Sequence, residues 1–282
     1  MAILSRIDPN IPSVQALVLA PTFELAIQIG QVIDTMAQFL PHIATAYAIR
    51  GSYLFKPINI VRGQLLSESI VIGTPGTVEE WCFRSRVIDL SKLRMFCVDE
   101  ADIMIDLQGF QQSCVKLYER LDKARCQVML FSATYSDEVM KFAREIVPDA
   151  VVLRLKREKQ TLANIRQFYV LCYGDEQKFA VIDQMYASLT IGQTMIFCRT
   201  KATAHALFIR MAQQNHSVQE LTGALEIDQR ANVIDQFRAG AFRVLVSTNV
   251  MSRGESFATC CGVVTVNYEL SRNRYRRHVL GH

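Results

Sequence analysis

The stretch MFCVDEAD, from Met95 to Asp102, decides the fold class of this 282-residue chain. Its apolar half predicts a buried strand, and Asp99, Glu100 and Asp102 follow where that strand ends. Acids in this position suit nucleotide chemistry, because one carboxylate can hold a phosphate-bound Mg²⁺ and the next can polarise the attacking water. The run SAT, Ser132–Thr134, follows a second strand-like run. Together these stretches predict half of a nucleotide-hydrolysing site.

The other half of such a site is a phosphate-binding loop. No GxxxxGK[ST] segment occurs among the 282 residues. In that segment a row of backbone N–H groups and a Lys cradle the β- and γ-phosphates, and a Ser or Thr hydroxyl binds Mg²⁺. We therefore expect this chain to bind ATP weakly by itself.

Length, charge and cysteine content limit the classes of protein to which this chain can belong. The length favours two compact units, and 50% apolar residues suffice for two cores. The net charge of +4 does not by itself indicate nucleic-acid binding. No apolar run approaches the ~20 residues that span a bilayer, and Met1–Arg6 does not resemble a secretory signal, so we expect an intracellular protein. The eight cysteines include no CxxC pair, which favours buried, reduced thiols.

Short β-rich runs alternate with helical patterns along the chain, and this alternation predicts α/β architecture with parallel sheets. We predict a first lobe at residues 1–157, a charged linker at 158–164 and a second lobe at 165–282. Helices are predicted over Glu24–Phe39, Gln177–Ser188, Lys201–Gln214 and Ile227–Ala239. The predicted strands are Ala16–Ala20, Thr45–Arg50, Ser69–Ile72, Met95–Asp99, Gln127–Phe131, Val151–Leu155, Gln167–Cys172, Thr194–Cys198, Ser217–Leu221, Arg243–Ser247 and Gly262–Val266.

Polar residues recur where these strands end. Open α/β sheets bind ligands at the carboxyl ends of their strands, so the pattern predicts a ligand lying across a cleft between the lobes. The order and spacing of the motifs resemble the core of a DEAD-box RNA helicase over nearly the whole chain. The motifs are PTFELA (21–26), GTPG (73–76), VDEAD (98–102), SAT (132–134), IFCRT (196–200), LTG (221–223), DQR (228–230) and STNVMSRG (247–254).

Longer stretches, such as IVIGTPGTVEEWC and LKREKQTLANIRQFYVLC, look most like the subfamily that works in mRNA export at the nuclear pore. The resemblance implies two RecA-like lobes that bind ATP with Mg²⁺ and single-stranded RNA. It implies that Asp99 holds Mg²⁺ through water and that Glu100 orients the attacking water. It also implies that Asp102, with Ser132 and Thr134, couples the nucleotide state to the lobe interface.

The resemblance further implies an RNA track that reads phosphates and 2′-hydroxyls with little sequence selectivity. Specificity would then come from nuclear-pore or mRNA-export partners, in the cytoplasm and the nucleus. The implied RNA-binding residues are Pro21, Thr22, Gly51, Thr74 and Gly76 in the first lobe, and Arg199, Thr200, Gly223, Gln229, Thr248 and Arg253 in the second.

The sequence departs from the family pattern around the nucleotide. The adenine-recognition segment and the P-loop strand and helix are absent, so we expect a first lobe without its P-loop strand and a second lobe that is truncated. By resemblance, the missing strand lies beside the strand leading to Ser132, and its loss would expose an apolar sheet edge. Ser256 replaces an Asp, and Arg272–Arg277 is a degenerate form of the arginine-rich motif.

Two main hypotheses follow from these residues. The first is an ATP-dependent RNA helicase of the mRNA-export type, with this chain as a divergent or partial copy. The alternative is an ATPase-deficient regulator that binds RNA or a protein partner, or a gene fragment. Whether the chain is an enzyme is open at this point, since a misplaced arginine finger alone typically costs about 10³ to 10⁵ in rate.

Overall fold

The computed structural model describes residues 1–49, 61–106, 109–147, 149–153, 168–188, 192–248 and 260–266. The chain divides into two compact units, Met1–Arg154 and Leu155–His282. The predicted linker, residues 158–164, lies outside the described residues.

The first unit contains a parallel sheet covered by helices on both faces. Along β1, Leu17 and Leu19 enter one apolar cluster whereas Ala16 and Val18 enter another, because successive side chains point to opposite faces. The sheet order is β2-β3-β1-β4-β5. Its strands are β1 (Ala16–Leu19), β2 (Thr45–Ala48), β3 (Ile70–Gly73), β4 (Met95–Val98) and β5 (Gln127–Leu130), and its helices are α1 (Phe23–Ala37), α2 (Pro75–Glu79), α3 (Ala101–Asp106), α4 (Phe110–Glu119) and α5 (Asp137–Ile146).

One edge of this sheet is formed by β5. Within the described ranges, β5 pairs with β4 alone. The residues of β4 are fully buried, whereas Val128, Met129 and Leu130 are half-buried and Phe131 is 52% exposed. The first unit therefore has the exposed apolar edge beside Ser132 that the sequence led us to expect.

Two predicted strands do not form in the part of the chain that the structure describes. Residues 151–153 and 168–172 are irregular, and side chains such as Leu153 and Phe168 are about nine-tenths exposed. Their apolar and β-branched residues suit a pleated surface, but a strand needs a neighbour to satisfy its backbone. The strand predictions over Val151–Leu155 and Gln167–Cys172 are therefore wrong for these residues.

The second unit repeats the architecture on a smaller scale. Its parallel sheet has the order β7-β8-β6-β9. The guanidinium of Arg210 joins two of its helices, because it donates to Asp183 at 2.8 Å and to Glu176 at 3.1 Å. The strands are β6 (Gln193–Cys198), β7 (Val218–Leu221), β8 (Val244–Ser247) and β9 (Cys260–Val266), and the helices are α6 (Asp175–Ser188), α7 (Lys201–Gln213) and α8 (Ile227–Arg238).

Cys82, Cys97, Cys114, Cys126, Cys172 and Cys198 are free thiols, and all of them except Cys172 are buried. Burial raises the pKa of Cys82, Cys97, Cys114 and Cys198 to about 12 and that of Cys126 to about 11. Few thiolates therefore form at neutral pH, which makes these thiols unreactive. Among the described helices, none combines the length and the apolar character that crossing a membrane would need.

Gly73, the last residue of β3, offers a test of the fold. A Cβ at this position would lie 2.2 Å from the carbonyl oxygen of Ala48 in β2, and that backbone atom cannot move aside. We expect Gly73→Ala to destabilise the first unit by about 1 to 3 kcal/mol, as overpacking typically does. The measurement is urea unfolding followed by the fluorescence of Trp81, the only tryptophan.

Gly76→Ala is the matched control for this experiment. A Cβ at position 76 meets no atom within 4 Å and Ala favours a helix over Gly, so the fluorescence midpoint should not fall. Equal midpoints for the two variants would show that the approach of Gly73 to β2 does not limit stability.

Candidate nucleotide-hydrolysing site

The parallel strands of the first unit bring the predicted site residues to one edge. Leu19 at the end of β1 pairs with Gly73 and with Val98, and Val98 pairs with Leu130. These strands therefore end level with one another. The residues that follow them, Thr22, Thr74, Asp99 and Ser132, lie along the carboxyl edge of one sheet.

Asp99 and Glu100 occupy a sharp turn between β4 and α3. The amide of Asp99 still donates to Leu19 at 2.9 Å, and the amide of Glu100 donates to the Asp99 carboxylate at 2.9 Å. Glu100 has φ of 49°, in the left-handed region that residues other than glycine rarely adopt. Burial, and then the charge of Asp102, raise the pKa of Asp99 above its ordinary value.

Asp102 is buried, and hydrogen bonds tie it to the loop that follows β5. The Thr134 hydroxyl donates to its carboxylate, and its amide donates to the Ser132 hydroxyl oxygen at 3.3 Å. Ser132 in turn donates to the Thr134 carbonyl at 2.8 Å. The structure thus brings together all three residues to which the resemblance assigns a coupling role. A shift of this loop would therefore change the contacts of Asp102.

The donor set at this edge fits Mg²⁺ held through water. In the described part of the chain no Lys or Arg forms an ion pair with Asp99, whose half-buried carboxylate is costly to ionise without a cation. No group of three or more His, Cys, Asp or Glu residues in the described ranges could hold a metal alone. A cation at Asp99 would therefore take most of its oxygen ligands from water and from a bound phosphate, as Mg²⁺ commonly does.

Threonines begin the helices that follow β1 and β6. The Thr22 hydroxyl accepts from the amide of Leu25 at 3.2 Å, and the Thr200 hydroxyl accepts from the amide of Thr203 at 3.1 Å. The helices α1 and α7 therefore begin just after a strand end, and a threonine side chain caps the first turn of each. Such N-termini favour anions, including phosphate.

The remaining predicted RNA-binding residues differ in accessibility. Pro21 and Thr248 are buried, Thr74 is half-buried, and Gly76, Arg199, Gly223 and Gln229 are exposed. The side chain of Gln229 already makes one hydrogen bond within the protein. Its oxygen accepts from the amide of Glu226 at 3.1 Å and so caps α8. Gly51 and Arg253 lie outside the described residues.

The sequence reasoning missed several residues that support the site. The hydroxyls of Thr74 and Thr77 lie 3.3 Å apart, and those of Thr200 and Thr203 lie 2.9 Å apart. This T-x-x-T spacing occurs at the start of one helix in each unit and could have been found in the sequence. Tyr135 donates a hydrogen bond across the loop after β5, to the carbonyl of Leu130, and no spacing in the sequence indicates this bond.

Comparison with known proteins defines the class. Residues 1–142 match the DEAD/DEAH box helicase family, and residues 177–279 match the helicase conserved C-terminal domain. The chain therefore belongs to the DEAD/DEAH box helicase family, which is ATP-dependent.

Within that family, the chain is similar to the human ATP-dependent RNA helicase DDX19A, with 45% identity over 270 residues, which are 96% of this chain and 55% of the relative. It is also similar to Saccharomyces cerevisiae Dbp5 bound to RNA and ADP BeF3, with 35% identity, a TM-score of 0.85 and coverage of 96% of this chain and 67% of that one. A Dbp5 variant bound to a Gle1 variant and IP6 gives 34% identity and a TM-score of 0.74, with coverage of 99% and 69%.

These similarities confirm the resemblance to the mRNA-export subfamily and the RecA-like parallel-sheet fold. The chain spans about half the length of the curated relatives it matches.

Proposed function

We propose that this polypeptide is the RNA-binding and water-activating part of an ATP-dependent RNA helicase that remodels RNA in mRNA export. One observation carries the proposal: Asp102, which follows Asp99 and Glu100 after β4, is hydrogen-bonded to Ser132 and Thr134 after β5, at the edge where the strands of the first unit end. Nucleotide chemistry at Asp99 and Glu100 can then move the loop that holds Asp102.

Each acid has a separate task in this proposal. When bound, ATP with Mg²⁺ supplies the phosphoryl group and the positive charge that stabilises its transfer. Asp99 holds the cation through water, and Glu100 orients the attacking water and accepts its proton. Asp102 does not contact the nucleotide and instead passes its state to Ser132 and Thr134.

RNA would bind along the carboxyl edges of the two sheets. Gly76 supports this placement, because it is exposed, a Cβ there would meet open space, and no positive φ requires a glycine. A glycine without a structural reason fits a site where a ligand backbone approaches closely. The helix N-termini that begin at Thr22 and Thr200, together with the exposed Arg199, would contact phosphates, which gives affinity with little sequence preference.

The cellular setting is also a proposal. The Dbp5 structures contain RNA in one case and a Gle1 variant in another. We infer that this polypeptide has comparable partners, single-stranded RNA and mRNA-export factors of the nuclear pore, and that it works in the cytoplasm and the nucleus. Its functional lobes are residues 1–157 and 165–282, with 158–164 as the linker.

A paired titration tests the proposal. Residues 1–282 are compared with an extended form that carries a GxxxxGK[ST] segment upstream of Met1, and ATP binding is measured with and without single-stranded RNA. We expect ATP affinity at least about 100-fold higher in the extended form, because that segment supplies the phosphate-binding amides and Lys. RNA should bind both forms, and should bind more tightly with ATP only in the extended form.

A point variant locates the RNA within the first unit. Gly76→Leu should weaken RNA binding about tenfold, whereas Ala124→Leu, at the exposed turn that precedes β5, should not change it. Equal RNA affinities for the two variants would contradict the placement. RNA binding without any ATP binding, even in the extended form, would instead favour the ATPase-deficient regulator, which the missing GxxxxGK[ST] motif makes the second candidate.

A further inference from the structure

The loop between β5 and α5 carries Ser132 and Thr134, and a hydrogen bond closes it at its base. The Tyr135 hydroxyl donates to the carbonyl of Leu130 at 3.1 Å. Leu130 is the last residue of β5, and Tyr135 directly follows Thr134. The bond therefore joins the residues on either side of the four-residue segment 131–134.

The accepting carbonyl lies on the open side of β5. The amides of Gln127 and Phe131 donate to Arg94 and Val98, so the backbone of the odd-numbered residues faces β4. Backbone groups alternate in direction along a strand, and the carbonyl of Leu130 therefore points away from β4. In the described part of the sheet no strand lies on that side, and Tyr135 supplies the hydrogen bond that a neighbouring strand would otherwise give.

The surroundings of Tyr135 keep its hydroxyl a donor. Burial and, after it, the charge of Asp102 raise the pKa of Tyr135 above its ordinary value. The phenol is therefore protonated throughout the neutral range.

We propose that Tyr135 is a positioning residue of the hydrolysis site, because its hydroxyl clamps the 131–134 segment in the shape that holds Ser132 and Thr134 against Asp102. Two amides of α3 depend on that shape: Ala101 donates to the Phe131 carbonyl at 2.9 Å, and Asp102 donates to the Ser132 hydroxyl. Releasing the clamp would loosen both contacts. The consequence for RNA remodelling rests on the proposed function, but the clamp itself does not.

Hydrogen exchange in residues 1–282, measured amide by amide by NMR, tests the clamp. Tyr135→Phe keeps the ring and removes only the hydroxyl. We expect exchange at the amides of Ala101 and Asp102 to become about three- to tenfold faster, as loss of one hydrogen bond allows. The amide of Asp99 donates to Leu19 on the other side of β4 and should not change.

The matched control is Tyr118→Phe on α4, which should leave all three amides unchanged. Unchanged exchange at Ala101 and Asp102 in Tyr135→Phe would overturn the proposal. Equal acceleration at Asp99 would overturn it as well, since a general loss of stability would then explain the result.

A second measurement does not require a Tyr135 variant. An NMR titration that follows the assigned ring signals of Tyr135 in Asp102→Asn should show a lower pKa than in the unmodified chain, because the neighbouring charge is gone. An unchanged titration would show that the phenol does not sit beside Asp102. If Tyr135→Phe exchanges faster but neither residues 1–282 nor the extended form binds RNA, the proposed function is refuted and the clamp is supported. Failure of the proposed function can therefore be told apart from failure of the clamp.

Discussion

Replacing Glu100 with Gln is expected to lower ATP turnover about 10²- to 10⁴-fold in the extended form that carries a phosphate-binding segment. Loss of a positioned general base typically has an effect of this size. The amide of Gln keeps the size and hydrogen-bonding reach of Glu but cannot accept the proton of the attacking water. The measurement is phosphate release at saturating ATP and RNA.

ATP affinity separates this effect from a general defect at the site. Glu100→Gln should bind ATP within about twofold of the unmodified protein, because its task begins only as water attacks. Glu119→Gln, an exposed position on α4, is the control and should change neither turnover nor affinity. Turnover retained in Glu100→Gln would assign the water-orienting role to another residue.

The strand ends are the part of this site that the sequence predicted well. Buried runs such as Met95–Val98 are apolar throughout, which is typical of a parallel sheet covered on both faces. Once the strands are placed, topology puts Asp99 and Ser132 at the same edge whatever the details of packing. Pattern and topology therefore place the acids and Ser132 at one edge. The role shared by Asp102, Ser132 and Thr134 came from the family resemblance, and their hydrogen bonds were not predicted.

The predictions failed where formation of a strand depends on a neighbour. Residues 151–153 have the composition of a strand, as β5 does, but β5 has β4 beside it and residues 151–153 have no paired strand in the described ranges. Composition reports what a segment can become, whereas pairing decides what it becomes. The clamp at Tyr135 is hidden for a related reason, because its acceptor is a backbone carbonyl that no side-chain pattern reveals.

Hydrogen bonds that polar side chains make between separate elements are equally invisible in the sequence. Ser113 on α4 donates to Glu79 on α2, and Lys116 donates to the same carboxylate at 2.9 Å, so one acid joins two helices. The Ser113 hydrogen bond is the main reason that the pKa of Glu79 is lowered, with Lys116 contributing less. Periodicity marks Glu79 and Lys116 only as ordinary surface residues.

Gln193 is the strongest example, and its replacement is the second large effect that we expect. It begins β6, is 9% exposed, and its side-chain amide donates to the carbonyls of Phe237 at 2.6 Å and Phe242 at 3.2 Å. Gln193→Leu would leave the buried Phe242 carbonyl without this donor, whereas the Phe237 carbonyl would keep the amide of Gly240 at 3.0 Å. Because an unsatisfied buried carbonyl costs about 1 to 3 kcal/mol, we expect the second unit to be destabilised by about that amount.

Two optical signals assign this loss to the correct unit. Trp81, the only tryptophan, lies in the first unit, so its fluorescence follows that unit while circular dichroism follows both. Gln193→Leu should shift part of the circular dichroism transition to lower urea and leave the fluorescence midpoint in place. Gln213→Leu, at an exposed position on α7, should shift neither signal. A matching shift in both variants would mean that added apolar area, and not the lost hydrogen bonds to Phe237 and Phe242, sets the stability of the second unit.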